Sequence, residues 1–167
     1  EGFTIINGGR ISADSEYFAI LTKSSWPVTI QHNRLIGHGS DLEVGNDYGL
    51  WATGSAGALT IQDNYFTAMY HGILLERQTG ASTIANNTFD ALYTGSLGGV
   101  NYGGRAIEAI TYGGTNVTTL QTVSGNHFLN FASTGVQFSG GFKNQTPGKF
   151  TNVLIENNDF TFVTTNI

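Results

Sequence analysis

A short template recurs six times in this chain, and a repeat constrains the fold more than any other signal a sequence carries. An apolar residue is followed by Asn three positions on, and by a second apolar or aromatic residue two beyond that. The copies are Ile30/Asn33/Leu35, Ile61/Asn64/Phe66, Ile84/Asn87/Phe89, Val123/Asn126/Phe128 and Ile155/Asn158/Phe160. Near the start, Ile6/Gly9/Ile11 fits with Gly in the Asn slot. A second apolar stretch follows each copy but the last, at residues 18–20, 50–52, 73–75, 107–109 and 136–138. Its first and third residues are apolar, which is the period-two alternation of a strand. Gly49, Gly72 and Gly135 each precede one of these stretches.

Splitting each repeat this way leaves a base unit of about 23 residues, with extra length inserted at two fixed corners. No helical periodicity appears, and 23 Gly argue against long helices. A unit this short cannot bury its own apolar face. Stacked units can, which predicts a parallel solenoid with inward columns. One column is Ile6, Ile30, Ile61, Ile84, Val123 and Ile155. A second is Ile11, Leu35, Phe66, Phe89, Phe128 and Phe160. A third is Phe18, Leu50, Ile73, Ile107 and Val136. Asn suits the corner between them because it tolerates the left-handed conformation, and because its amide can bond to backbone or to the next Asn.

Composition excludes several functions. A net charge of −5 argues against nucleic acid as a partner. Without cysteine there are no disulfides and no thiolate metal sites. No apolar run reaches the roughly 20 residues of a membrane-spanning helix. The chain starts at Glu1 without Met and runs straight into a repeat, so it is expected to be a single domain, residues 1–167, of a longer protein.

The I-x-x-N-x-F corners, with a G-I-x-L strand in each unit, resemble the right-handed parallel β-helix superfamily across residues 3–163. That superfamily includes pectate-lyase-like enzymes, mannuronan epimerases, and phage tailspikes and capsule depolymerases. The resemblance implies an all-β, right-handed parallel β-helix of five to six coils. The D-P-H-D signature of the epimerases is absent, so no catalytic residue transfers by motif. The uncharged, Gly/Asn/Ser/Thr-rich character looks most like a tailspike. That likeness implies a bacterial surface polysaccharide as partner, a homotrimer, and a location on a virion tail or outside the cell.

Chemistry is expected on the loops and on the outward row of the second strand. Long connections after the corner, at 36–49 and 90–106, flank a minimal one at 67–72. This predicts a groove with Met69, Tyr70 and His71 as its floor. Asp41, Glu43, Asp47 and Tyr48 stand on one wall; Asp90, Tyr93 and Tyr102 stand on the other. Aromatic side chains in a groove suit the apolar faces of sugar rings. Ala19, Trp51, Leu74, Glu108 and Gln137 are expected in one outward row. Glu76 and Glu108 would lie one rung and two residues apart, roughly 8 Å by strand geometry. That spacing matches the acid and base of an inverting glycosidase, about 6.5–9.5 Å apart. The expected catalytic pair is therefore Glu76 and Glu108. The expected substrate contacts are Trp51, Tyr70, His71, Asp90, Tyr93, Tyr102 and Gln137. Two other readings stay open: a glycan-binding shaft without chemistry, and a lyase or epimerase. No cofactor is expected. Asp41, Glu43 and Asp47 could only make a calcium site without a recognised spacing.

Overall fold

The computed structural model describes residues 2–6, 9–10, 16–37, 46–54, 56–92, 94–97, 100–131, 134–141 and 145–161. Every regular element among them is a β-strand; most strands stack into three parallel sheets, and two smaller pairs, Thr94–Leu97 with Val100–Gly103 and Asn116–Val117 with Lys149–Phe150, lie outside them. The entry sheet holds Val28–Gln31, Leu59–Gln62, Ser82–Ala85, Gln121–Ser124 and Val153–Glu156. The middle sheet holds Thr4–Ile6, Arg34–Ile36, Tyr65–Met69, Thr88–Leu92, His127–Phe131 and Asp159–Thr161. The long sheet holds Glu16–Thr22, Asn46–Thr53, His71–Glu76, Arg105–Ile110 and Thr134–Ser139. The chain visits middle, long and entry sheet in turn, so it is a parallel β-helix, as the repeat predicts.

All three columns run inward over four coils, the third through Leu50, Ile73, Ile107 and Val136. Ile30, Ile61, Ile84 and Val123 pair in register, and so do Leu35, Phe66, Phe89 and Phe128. The three Phe rings stack at 4.9 and 5.2 Å with nearly parallel planes, and Phe160 continues the stack at 4.6 Å. Offset parallel rings at this spacing add to the area they bury. The glycines preceding the long-sheet strands make room for this column. A Cβ on Gly72 would lie 2.6 Å from the Phe89 ring and 2.5 Å from the Ala106 carbonyl oxygen.

The first coil departs from the expected register. Ile5, not Ile11, stands opposite Leu35, and Ile6 pairs with Ile36 instead of joining the Ile30 column. In the long sheet Ile20 pairs with Leu50, and Leu21 with Trp51. Phe18 and Ala19 therefore sit two residues away from the columns assigned to them. The apparent Gly9 template misled because Phe3, whose backbone N–H donates to Asn33 Oδ1, already holds the corner position of this coil. Ile11 lies outside the described residues.

The Asn column is an amide ladder. The backbone N–H of each corner Asn donates to Oδ1 of the Asn one coil further on: Asn33 to Asn64, Asn64 to Asn87, Asn87 to Asn126 and Asn126 to Asn158, at 2.9–3.0 Å. Each Nδ2 donates to the same oxygen and to backbone carbonyls; Asn87 Nδ2 reaches Ile61 O, and Asn126 Nδ2 reaches Ile84 O and Ser124 O. Only one amide orientation satisfies this pattern, since Oδ1 faces donors and Nδ2 faces acceptors. The left-handed residue is the one before the ladder Asn: His32, Asp63, Asn86, Gly125 and Asn157 have φ of 54–63°. The expectation that the ladder Asn itself takes that conformation is corrected. Its side chain must point inward to reach its neighbours, and the turn is made one position earlier.

Removing a central ladder residue leaves buried donors without acceptors, at about 1–3 kcal/mol each. Asn87→Ala orphans the backbone N–H of Asn64 and takes the amide donor from Ile61 O, while Asn64 Nδ2 keeps Ile30 O and Gln62 O, so we expect it to cost about 3 kcal/mol. Asn158→Ala, at the partly exposed end, should cost about 1 kcal/mol. Urea unfolding of both variants checks the difference, and equal losses contradict it.

Candidate functional site

The outward face of the long sheet gathers the residues with chemistry. Register puts Leu21, Trp51, Leu74, Glu108 and Gln137 in one row, and Thr53, Glu76, Ile110 and Ser139 in the next but one. Glu76 and Glu108 are therefore one rung and two residues apart, as the alternation predicts.

Glu76 is the hub of one cluster. Its Oε2 accepts the Trp51 indole N–H and the Thr53 hydroxyl, both at 3.1 Å. Its Oε1 accepts the Tyr112 hydroxyl. The Arg77 guanidinium lies 5.1 Å from the Tyr112 ring centroid. One carboxylate thus fixes two aromatic rings drawn from different coils. The proton on the Tyr112 hydroxyl is held tightly: the bond to Glu76 comes first, burial second, and together they raise its pKa above the ordinary 10.0. Phe18 closes edge-to-face on Trp51 at 5.4 Å, and Tyr48 lies 5.5 Å from it.

Glu108 is the hub of a second, buried cluster. Arg105 Nη1 donates to its Oε1 at 2.7 Å. His71 Nδ1 lies 3.6 Å from Oε2, within ion-pair reach but too long for a hydrogen bond. Tyr48 stacks on the His71 ring at 4.6 Å. Burial alone would raise the Glu108 pKa, yet His71 and Arg105 outweigh it and hold the carboxyl below its ordinary 4.5. Such a group stays ionised and is poorly suited to donate a proton.

Other expected residues are placed elsewhere. Tyr70 is buried at the corner before His71, and Met69 sits in the core, so neither can floor an open groove. Asp90 belongs to the middle sheet, where Tyr65 OH and Asn130 Nδ2 donate to its two oxygens at 2.7 and 2.8 Å. It is a structural bridge between coils. Tyr102 lies in an antiparallel hairpin, Thr94–Leu97 with Val100–Gly103, where it pairs with Gly95. The Val100–Gly103 arm packs against Asn46–Thr53, two strands away from Arg105–Ile110 in the sheet. That arm therefore lies against the strand of Tyr48 and Trp51. Outward-facing His71, Leu74 and Glu108 are themselves buried, with Tyr48 packed on His71 and Arg105 on Glu108. Asp47 pairs with Tyr17 through the backbone, while Asp41, Glu43 and Tyr93 lie outside the described residues. Gln137 is half-buried beside Glu108 in the next rung.

Thr53 shares the outward row of Glu76 by alternation, and Arg77 is its neighbour in sequence, but Tyr112 was not expected there. It lies two residues beyond Ile110, the register partner of Glu76, just past the end of that strand.

One comparison bears on family. The family model described as "Periplasmic copper-binding protein (NosD)" matches residues 2–133, most of the chain. No curated protein and no solved structure gives a match.

Because its folded-state pKa is lowered, Glu108 contributes stability that is present above the unfolded carboxylate range and is lost as pH falls through the folded value. Glu108→Gln should therefore be less stable than the parent at pH 7, by about 1–3 kcal/mol given that Arg105 is partly solvated. The gap should narrow as pH falls through the lowered carboxylate range. Thermal unfolding at pH 3, 5 and 7 checks this, and a gap independent of pH contradicts it.

Proposed function

This chain belongs to the NosD family, and from that premise we propose that it is a β-helical domain working outside the cytoplasm, whose long-sheet face binds a neutral polysaccharide without cleaving it. The family description places its members in the periplasm, which supports the location. Nothing in the match extends to tailspikes, virions or trimers.

The observation that carries the reading is the double anchoring by Glu76. Trp51 and Tyr112 are oriented before any ligand arrives, so little rotamer freedom remains to be lost on binding. Rigid aromatic platforms with hydroxyl and amide groups between them suit sugar rings. The net charge of −5 disfavours acidic polymers. Both carboxylates already serve protein groups, and Glu108 is held ionised, which argues against an acid/base pair.

Copper is named in the family's description, and the described residues do not fit it. Copper sites draw on imidazole nitrogen and on thiolate or thioether sulfur. The chain has no cysteine, and its one methionine, Met69, is enclosed by the core. Among the described residues no three His, Cys, Asp or Glu converge, and His71 Nδ1 is directed at Glu108.

A second reading keeps the hydrolase: Glu76 and Glu108 lie one rung and two residues apart in register, roughly 8 Å by strand geometry, which falls in the range of an inverting pair. Glu76 would then be the acid and Glu108 the base. The two readings separate cleanly. Against the best ligand from a glycan array, Trp51→Ala should weaken binding about tenfold or more, with stacking worth about 1–3 kcal/mol. Glu76→Gln should weaken it several-fold, and no reducing ends should form with any variant. Release of reducing ends that Glu108→Gln abolishes favours the hydrolase. Unchanged affinity in Trp51→Ala removes the face from consideration.

A further inference from the structure

The aromatic platform on the long sheet has a cationic border. Lys23 and Arg77 reach it from different coils. Continued one residue past its last pairs, the register sets Lys23 level with Thr53 and Glu76, and Gly54 level with Arg77. Both cations are exposed, and both side chains turn toward Gly54. A Cβ on Gly54 would lie 3.9 Å from Arg77 Nη2 and 3.9 Å from Lys23 Cε. Apart from its chain neighbours, no other described residue comes within 4 Å of that point. The missing side chain thus leaves open space between the two cations.

The protein does not neutralise them. Among the described residues no carboxylate lies within ion-pair distance of either. Glu76, next to Arg77 in sequence, already accepts from Trp51, Thr53 and Tyr112. The Arg77 guanidinium rests over the Tyr112 ring, at the edge of the platform. Its backbone gives a second, independent pointer. Arg77 has a φ of 51°, the left-handed conformation that Gly54 takes with a φ of 56° at the same corner one coil earlier. A side chain there meets a steric cost that glycine avoids. Such outliers gather at binding and catalytic sites. Two like charges drawn to one bare spot also repel until a counter-charge joins them.

We infer that Lys23 and Arg77 form a subsite for one anionic substituent, a carboxylate, sulfate or phosphate, carried by the glycan that lies on Trp51 and Tyr112. This rests on the proposed platform and narrows its ligand: neutral along the stacked rings, charged at one position. The guanidinium fork suits a pair of anion oxygens, and the ammonium adds a point charge from the other side. The net charge of −5 sets the long-range field against a polyanion, so the subsite suits an isolated charge.

The test is a glycan array of matched pairs, each an oligosaccharide with and without one uronate, sulfate or phosphate group. Titration calorimetry on the best pair then measures both affinities. The charged member should bind about fivefold tighter, the scale of two partly solvated charge contacts, and the advantage should shrink at high salt. Lys23→Gln should remove most of that advantage and leave the affinity for the neutral member unchanged. Arg77→Gly keeps the backbone conformation, so it should melt near the parent temperature while bringing the two affinities together. Equal binding within every pair, or an advantage that survives both variants, overturns the subsite. Trp51→Ala tells this failure from failure of the platform, since it should weaken both members alike. If it weakens both and the members of each pair bind equally, the platform stands and the subsite falls. If it weakens neither, the platform falls and the subsite with it.

Discussion

The amide ladder at the corner is the constraint on which the structure depends. A parallel β-helix stacks short strands whose side chains alternate with period two, so a slip of one residue would turn a column inside out. Coil length in this chain varies widely, because connections enter between the strands. Something must restore register at every turn, and the ladder does so with side chains of a single shape. Asn33, Asn64, Asn87, Asn126 and Asn158 pair their oxygens with N–H donors and their amide nitrogens with carbonyls along the stack. A Leu would fill the same space and leave the corner backbone unpaired.

The aromatic column depends on the ladder in turn. Once the Asn is placed, the residue two positions on points inward at a fixed height, and Phe66, Phe89, Phe128 and Phe160 stack nearly parallel. These rings need room on the facing wall. Gly49, Gly72 and Gly135 provide it, since a Cβ at each would lie within 2.6 Å of the Phe ring in the following coil. The recurring Gly before the long-sheet strand is thus the complement of the recurring Phe. With corner and core both specified, the outward face of the long sheet is free to vary, and that is where Trp51, Glu76, Tyr112 and the His71–Glu108–Arg105 cluster lie.

Much of this was legible in the sequence because it repeats. The ladder positions, the Ile and Phe columns and the relation of Glu76 to Glu108 follow from period and alternation. The first coil was misread because a chance Gly9 imitates the template, whereas Phe3 holds the corner position opposite Asn33. What the sequence could not convey is what a single loop does. The residues between Thr94 and Gly103 pair as a hairpin whose second arm lies against Asn46–Thr53, and His71, Glu108 and Tyr70 are buried and do not line an open groove. Asp90 was misplaced because the strand of the middle sheet runs on past the corner template, through Thr88–Leu92, and takes Asp90 with it. Tyr112 was missed because it lies beyond the end of the alternating strand Arg105–Ile110.

Hydrogen exchange at the ladder amides tests the central claim most directly. The backbone N–H groups of Asn64, Asn87 and Asn126 donate to side-chain oxygens, not to a sheet ladder, and would be weak points if the corner merely followed the strands. If the corner sets the register, they should exchange only through global unfolding, with protection equal to that of the core strand around Ile73. Exchange at the rate of the exposed turns, while the strands stay protected, would contradict the account and move the register-setting role to the Phe column.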